Sequence, residues 1–383
     1  MKIINLSSIA NPISISVQNP SQSDYDRFIG LEHYDSGEPV ITRFQGTELL
    51  TTSAKAFKAN DILIARRNVY LKRAGIVFFD GITSGDSIIL RLKEDTQKTI
   101  GYSREDLIRY IPFILNSEHF WIYANKHADG MNSKRISKDT LLEYEFELPS
   151  IDEMRDISDK LWAAYRLKEA YKKLLVTTDE MVKSQFIEMF GSMDTTPVGE
   201  YVLDSFPGEW GIEDTNGTGV KVIRTTNFTN SGKLNLTDVI TREIEMKKVN
   251  KKRIMKYDTI LERSGGTTDN PVGRVVLFEE DGLYLCNNFT QVLRFKDIDP
   301  RFAFYSLFYF YQTNKTAIRG MGNKTTGIQN LNMSKYLGIG IPNASVEQQK
   351  AFTAIAEQAD KSKFELKQCI ENIDKVIKSL ING

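Results

Sequence analysis

The sequence predicts an α+β protein in which two related globules alternate with two long helices that pair as an antiparallel coiled coil. Three observations carry this. Blocks of sequence recur in one order across the two halves. Each half ends in about 40 residues with apolar positions at helical spacing. What remains is rich in short β-branched and aromatic runs punctuated by Gly, Asn and Asp, the signature of strands and turns.

The repeat begins with Phe28-Ile29-Gly30-Leu31-Glu32-His33-Tyr34, answered by Val222-Ile223-Arg224-Thr225-Thr226-Asn227-Phe228, with turns after them at Ser36-Gly37 and Ser231-Gly232. Next, Asn60-Asp61-Ile62-Leu63-Ile64-Ala65-Arg66 is answered by Tyr257-Asp258-Thr259-Ile260-Leu261-Glu262-Arg263, an offset of 197 from Asp61 to Asp258. A Gly-led run follows each, from Gly75 and from Gly273, and then a last strand, Ser87 to Leu92 and Thr290 to Phe295. Arg104 to Ile114 and Ala303 to Tyr311 read as helices. The aromatic run Phe302 to Tyr311 is expected to pack rather than to stack on nucleic-acid bases. Leu148-Pro149 and Ile341-Pro342 close the globules, at an offset of 193 between the prolines. Asp61 and Asp258 are expected to be structural, at turns or strand starts, and His33 to be a packed or surface residue.

From Ile151 to Phe190 there is no Gly or Pro, and Ile151, Met154, Ile157, Leu161, Ala164 and their successors recur in steps of three and four. The second such stretch runs through Phe352, Ile355, Ala359, Leu366, Ile373, Val376 and Leu380, with Ser345 and Gln348 spaced as a capping box. At 1.5 Å per residue the helices reach roughly 55–60 Å. Helices of that length cannot bury their apolar stripes against a small globule, but they can bury them against each other. The division expected is residues 1–150 and 191–343 for the globules, and 151–190 and 344–383 for the helices.

Composition limits the function. The chain has 383 residues, 41% hydrophobic and 26% charged, so it is globular and long enough for two or three domains. Lys and Arg balance Asp and Glu at 50 each, so any nucleic-acid binding must rest on local patches or on basic partners. Cys286 and Cys369 are the two cysteines and His33, His119 and His127 the three histidines, too few for a disulfide scaffold or a Cys-rich zinc site. No apolar run approaches the roughly 20 residues of a membrane span, and the N-terminus lacks the apolar core of a secretory signal; the expected compartment is the cytoplasm. Gly320-Met321-Gly322-Asn323-Lys324-Thr325-Thr326-Gly327 is the nearest approach to a phosphate-binding loop and has the wrong spacing. No serine-hydrolase elbow, zinc-protease or dinucleotide motif occurs. A duplicated binding scaffold without a catalytic site is the economical reading.

These blocks, present twice and in order, resemble the specificity subunit of type I restriction–modification systems. So does the stretch Met181-Val182-Lys183-Ser184-Gln185-Phe186-Ile187-Glu188-Met189-Phe190-Gly191, and so does Val346-Glu347-Gln348-Gln349 after Pro342; Asp152-Glu153-Met154-Arg155 is a looser counterpart in the first half. The resemblance covers essentially the whole chain. It implies that each globule is a target recognition domain for one half of a bipartite double-stranded DNA site. The helices would set the gap between half-sites, with room for about 16–18 base pairs, and would dock two modification (methyltransferase) subunits. It also implies that S-adenosylmethionine, ATP and Mg belong to the modification and restriction subunits, none of them to this chain.

Base readout calls for Arg, Asn and Gln on loops carried by a sheet, with Lys, Ser and Thr on phosphates. In the first globule the candidates are Arg66, Arg67, Asn68, Tyr70, Lys72 and Arg73 in one loop, and Lys134 and Arg135 after Asn132-Ser133 in another. In the second they are Arg263, Ser264, Thr267, Thr268 and Asn270, then Arg319, Asn323 and Lys324. The loops fall at corresponding places in the repeat and differ in sequence, as two readers of different half-sites require. Solvated turns would look the same. Three other functions stay open at this point: a protein–protein scaffold with two α+β heads on a coiled coil, the specificity subunit of a related system that fuses cleavage and methylation in its partner, and a single-chain enzyme with a degenerate site.

Overall fold

The computed structural model describes residues 2–131, 133–267, 269–325 and 328–382, with Lys324, Thr325 and Ile328 described by their backbone alone. The chain divides into two units: residues 1–173 with 366–383, and residues 174–365. Each contains a globule and parts of both long helices, which run over Ile151–Phe190 and Val346–Asn382.

The first unit is built on an antiparallel sheet in the order Ala10–Ile13, Ser87–Leu92, Ile62–Ala65 and Ala74–Ile76. Ile62–Ala65 is buried at all four positions, so it sits mid-sheet with both faces covered and shows no alternation in sequence. A second sheet joins Ile15–Val17, Ala54–Phe57, Gly81–Thr83 and Phe28–Ile29, the last pair parallel. Lys2–Asn5 pairs with Glu145–Leu148 beside the start of the first long helix. Ser103 caps Arg104–Ile114 by accepting from the Asp106 N–H, and Ser117 caps Glu118–Lys126 through the Phe120 N–H. The core gathers Ile62, Leu90, Leu107, Phe113, Phe120 and Trp121 against Met154, Leu161 and Tyr165 of the first long helix and Ile377 of the second.

The second unit repeats this plan. Its main sheet runs Val202–Pro207, Thr290–Phe295, Thr259–Glu262, Val275–Leu277, and its second sheet again holds one parallel pair, Val220–Ile223 with Tyr284–Cys286. Thr195–Pro197 pairs with Gly340–Pro342. Pro300–Thr313 carries the aromatic run, with Phe302, Phe304, Leu307, Tyr309 and Tyr311 buried as a packed helix. Phe186 and Phe190 of the first long helix meet Phe352 of the second with ring centroids 5.2 and 5.7 Å apart, while Asp179 meets Lys363 at 2.6 Å. Later positions in one helix meet earlier positions in the other, so the two run antiparallel. The Ser345 Oγ accepts from the Gln348 N–H and Gln348 Oε1 from the Ser345 N–H, a complete capping box, which Ser150 and Glu153 repeat at the first helix.

Hydrogen bonds show that the duplication reaches single residues. The Gly30 N–H donates to His33 Nδ1 and the Arg224 N–H to Asn227 Oδ1, so His33 and Asn227 each close a short helical turn. Asn60 and Tyr257, each just before the repeated aspartate, have φ of 69° and 70°. The two Gly-led runs do not correspond as their glycines suggest. The Val77 N–H donates to Asp61 O and the Phe278 N–H to Asp258 O, which aligns Gly273 with Lys72 and Gly75 with Val276. Gly273 (φ 109°) and Lys72 (φ 51°) share a positive-φ slot, whereas Gly75 is needed because a Cβ there would lie 2.9 Å from Ile41.

Candidate nucleic-acid interface

In the first unit the chain leaves the buried strand Ile62–Ala65 at Arg66 and turns through a short helical segment, Val69–Leu71, held between two left-handed residues, Asn68 and Lys72. Asn and Lys tolerate that conformation at a modest cost. The second candidate loop is drawn against the first. The Asn68 N–H donates to Lys134 O, the Ile136 N–H to Arg66 O, Arg67 Nε to Ser133 Oγ at 2.8 Å, and Ser133 Oγ–H to Asn68 Oδ1 at 3.2 Å. Arg66, Arg67, Asn68, Lys134 and Arg135 therefore form one surface, with Arg67, Lys134 and Arg135 exposed.

The other candidates of this loop are placed differently. Tyr70 is exposed at the tip. Arg73 turns inward and donates to Leu31 O and Arg67 O, both at 3.0 Å; burial draws its guanidinium below the ordinary value. Lys72 lines a cavity of about 300 Å³ with Glu38, Phe113, Lys168 and Asp374, away from the Arg67–Arg135 contact.

The second unit brings its two loops together by strand pairing. Ser264–Gly265 joins Ile328–Leu331, which pairs with Gly322–Thr325. The Leu331 N–H donates to Arg263 O as the Ile136 N–H does to Arg66 O, so Arg66 and Arg263 hold equivalent positions. Ser264 Oγ–H donates to Asn330 Oδ1 at 2.6 Å and is buried, which makes Ser264 a strut between the loops. Arg263 Nη1 donates to Gln291 Oε1 at 3.4 Å. Thr267 and Asn270 close a small turn on each other, and Arg319 and Asn323 are exposed on the rim. Thr268 and, in the first unit, Asn132 lie outside the described residues, and so does the Lys324 side chain.

The two surfaces differ in charge at one shared point. The Ala65 N–H donates to Arg73 O and the Glu262 N–H to Arg274 O, so the arginines correspond. Glu262 accepts from Arg274 Nε at 2.6 Å and neutralises it; Ala65 offers Arg73 nothing of the kind.

Residues 205–375, which contain all of the second surface, match the family model of the type I restriction modification DNA specificity domain. The fold is shared with a chain from a structure on complex assembly and conformational transition of the type I R-M system: 13% identity, TM-score 0.55, covering 99% of this chain and 96% of that one. The S subunit of a Type-I restriction-modification system from M. genitalium aligns at 14% identity and TM-score 0.49 over 100% and 96% of the two chains. The HsdS subunit from Thermoanaerobacter tengcongensis aligns at 15% and 0.38 over 99% and 95%. No curated protein sequence matches the chain.

Around the candidate loops of the first unit the structure adds residues that the sequence did not single out. Lys55, on strand Ala54–Phe57, donates to Gly85 O and Ser87 O, both at 3.0 Å; burial, then the neighbouring charges of Arg66 and Lys138, lower its pKa against the pull of Asp86. Asp86 itself lies 3.9 Å from Arg67 and 3.7 Å from Arg135. Both residues are distant in sequence from both loops, and the offset between copies had drifted from 197 to 203 by position 86, so the repeat alone could not align them. Among the described residues no group of three His, Cys, Asp or Glu is placed to hold a metal, and no helix is long and apolar enough to cross a membrane.

Proposed function

We propose that the chain is the DNA sequence-recognition subunit of a type I restriction–modification complex. In this reading each unit reads one half of a bipartite site through its paired loops: Arg66–Asn68 with Lys134–Arg135, and Arg263–Asn270 with Arg319–Lys324. The long helices set the gap between half-sites and dock two modification subunits. Restriction subunits join through the same assembly, and methyl transfer and cleavage reside in the partners.

One observation supports this most. The two loop pairs are held by equivalent backbone hydrogen bonds yet present different side chains, Arg67, Lys134 and Arg135 in one and Thr267, Asn270, Arg319 and Asn323 in the other. A conserved frame with divergent tips suits two readers of two sequences, since frame contacts position and tip contacts specify. Clustered arginines beside buried sheets also supply the local charge that a neutral chain needs for phosphate binding.

The test is to co-express the chain with its modification subunit and map methylated bases genome-wide. A bipartite motif with a fixed gap is expected. A folded, assembled complex that methylates no such motif would refute the reading and direct the search to protein partners.

A further inference from the structure

In each unit a tight turn leads into the last strand of the main sheet. The Ser87 N–H donates to Ser84 O and the Thr290 N–H to Asn287 O, both at 3.1 Å. The residue before each strand gives its carbonyl to the arginine that opens the reading loop: Asp86 O accepts from the Arg66 N–H at 2.9 Å, and Phe289 O from the Arg263 N–H at 2.8 Å. Residues 86 and 289 therefore share one slot, tied to the candidate DNA loops. Their chemistry is opposed. Asp86 places a carboxylate, its side chain 29% exposed, and Phe289 an exposed ring.

The Asp86 carboxylate stands at 3.7–3.9 Å from Arg135 and Arg67, close enough for attraction but too far for hydrogen bonds. Among the described residues neither of its oxygens accepts a hydrogen bond. An acid amid Lys55, Arg66, Arg67 and Arg135 works against phosphate binding. It suits a base edge. A carboxylate only accepts, and in the major groove cytosine offers an amino donor, whereas adenine sets the acceptor N7 beside its amino group and guanine presents acceptors. A phenyl ring has neither donor nor acceptor and matches the thymine methyl group.

Building on the proposed function, we propose that position 86 and its counterpart 289 determine sequence specificity, Asp86 by accepting from a cytosine amino group in one half-site and Phe289 by packing on a thymine methyl group in the other. The test uses the full complex with modification subunits and the methylation map. The wild-type map comes first: if it holds no bipartite motif, the recognition role itself has failed, and this proposal with it. Given a motif, Asp86→Ala is expected to relax one C·G position in one half-site, by about tenfold or more in discrimination, and to leave the other half unchanged. Phe289→Ala is expected to relax one T·A position in that other half. Asp86→Asn keeps the size and both donates and accepts, so it should admit adenine where cytosine was required; it decides the matter alone if Asp86→Ala fails to co-purify with the modification subunit. An unchanged motif in the assembled Asp86 variants, with tighter DNA binding, would make the carboxylate a mere counter-charge and overturn the proposal.

Discussion

Arg91 grips Asp61 with both Nε and Nη2, each 2.7 Å from a carboxylate oxygen, and Arg294 repeats the grip on Asp258 at 2.9 and 2.7 Å. Each carboxylate also accepts a backbone N–H from three residues earlier, Lys58 and Met255. The aspartates are almost fully buried, their side chains 1% and 3% exposed, and the arginines lie on the neighbouring strand. The pair locks the entry of the central strand to the last strand in each unit. Removing the aspartate leaves a partly buried guanidinium and a turn N–H without their acceptor, so Asp61→Ala or Asp258→Ala should each cost about 1–3 kcal/mol. Chemical denaturation of the purified chain measures this; a loss below about 1 kcal/mol would show that the pair is not structural.

Two glycines with nearly the same backbone dihedral predict unequal outcomes. Gly37 and Gly232 have φ of 74° and 75°. A Cβ on Gly37 would meet nothing within 4 Å, whereas one on Gly232 would sit 2.8 Å from the rings of Phe304 and Phe308. Gly37→Ala should therefore cost only the backbone term, about 1 kcal/mol. Gly232→Ala should cost more, by overpacking of about 1–3 kcal/mol. Melting curves of the two variants would decide it, and equal losses would rule out the steric difference.

Arg263→Ala should weaken DNA binding without disturbing assembly with the modification subunit, since its side chain donates to Gln291 while its backbone holds the loop. If the arginine meets a phosphate, the slope of log K against log salt should fall by about 0.9. Loss of assembly instead would mean that the loop belongs to a protein interface.

Acid should destabilise each unit through one carboxylate. Burial alone would raise the Asp360 carboxyl, but Lys233 at 2.7 Å and Lys363 at 2.9 Å overcome it and hold the group below its ordinary value. Glu38, between Lys168 and Lys172, is lowered by the same balance. A folded-state pKa below the unfolded one gives stability that is full above the unfolded value, near 4, and lost as pH falls through the folded value. Melting temperatures of Asp360→Asn and Glu38→Gln should lie below wild type at pH 7, with the gap closing below about pH 4. A gap constant from pH 7 to 3 would contradict the ion pairs.

Cys286 is buried and its thiol is pushed up to about 12, chiefly by burial, while Cys369 is exposed. A thiol reagent should modify Cys369 alone in the native chain and both residues after unfolding. Prompt reaction of both in the native state would disprove the packing around Cys286.

Periodic features were legible in the sequence: the long helices, the Ser345–Gln348 cap, the paired last strands and the packed aromatic helix all follow from local patterning. Position-specific partners were not. Asp61 reads as a strand start, but its partner lies 30 residues on and is chosen by strand pairing. Gly75 and Gly273 align by eye because both precede β-branched runs, yet one answers a steric demand and the other a dihedral one. The candidate loops could be located from the repeat; that Arg73 would turn inward and that Asp86 would sit among the arginines depends on tertiary contacts with no sequence period.

The first unit draws its last helical segment, residues 366–383, from beyond the whole of the second. On the ribosome, Leu161 and Tyr165 must wait for Ile373, Ile377 and Leu380 while residues 174–365 are translated, roughly 10–40 s at about 5–20 residues per second. During that interval the apolar face of the first unit is a target for chaperones or for a neighbouring nascent chain. A stop codon near residue 366 would damage the unit made first and spare most of the one made last.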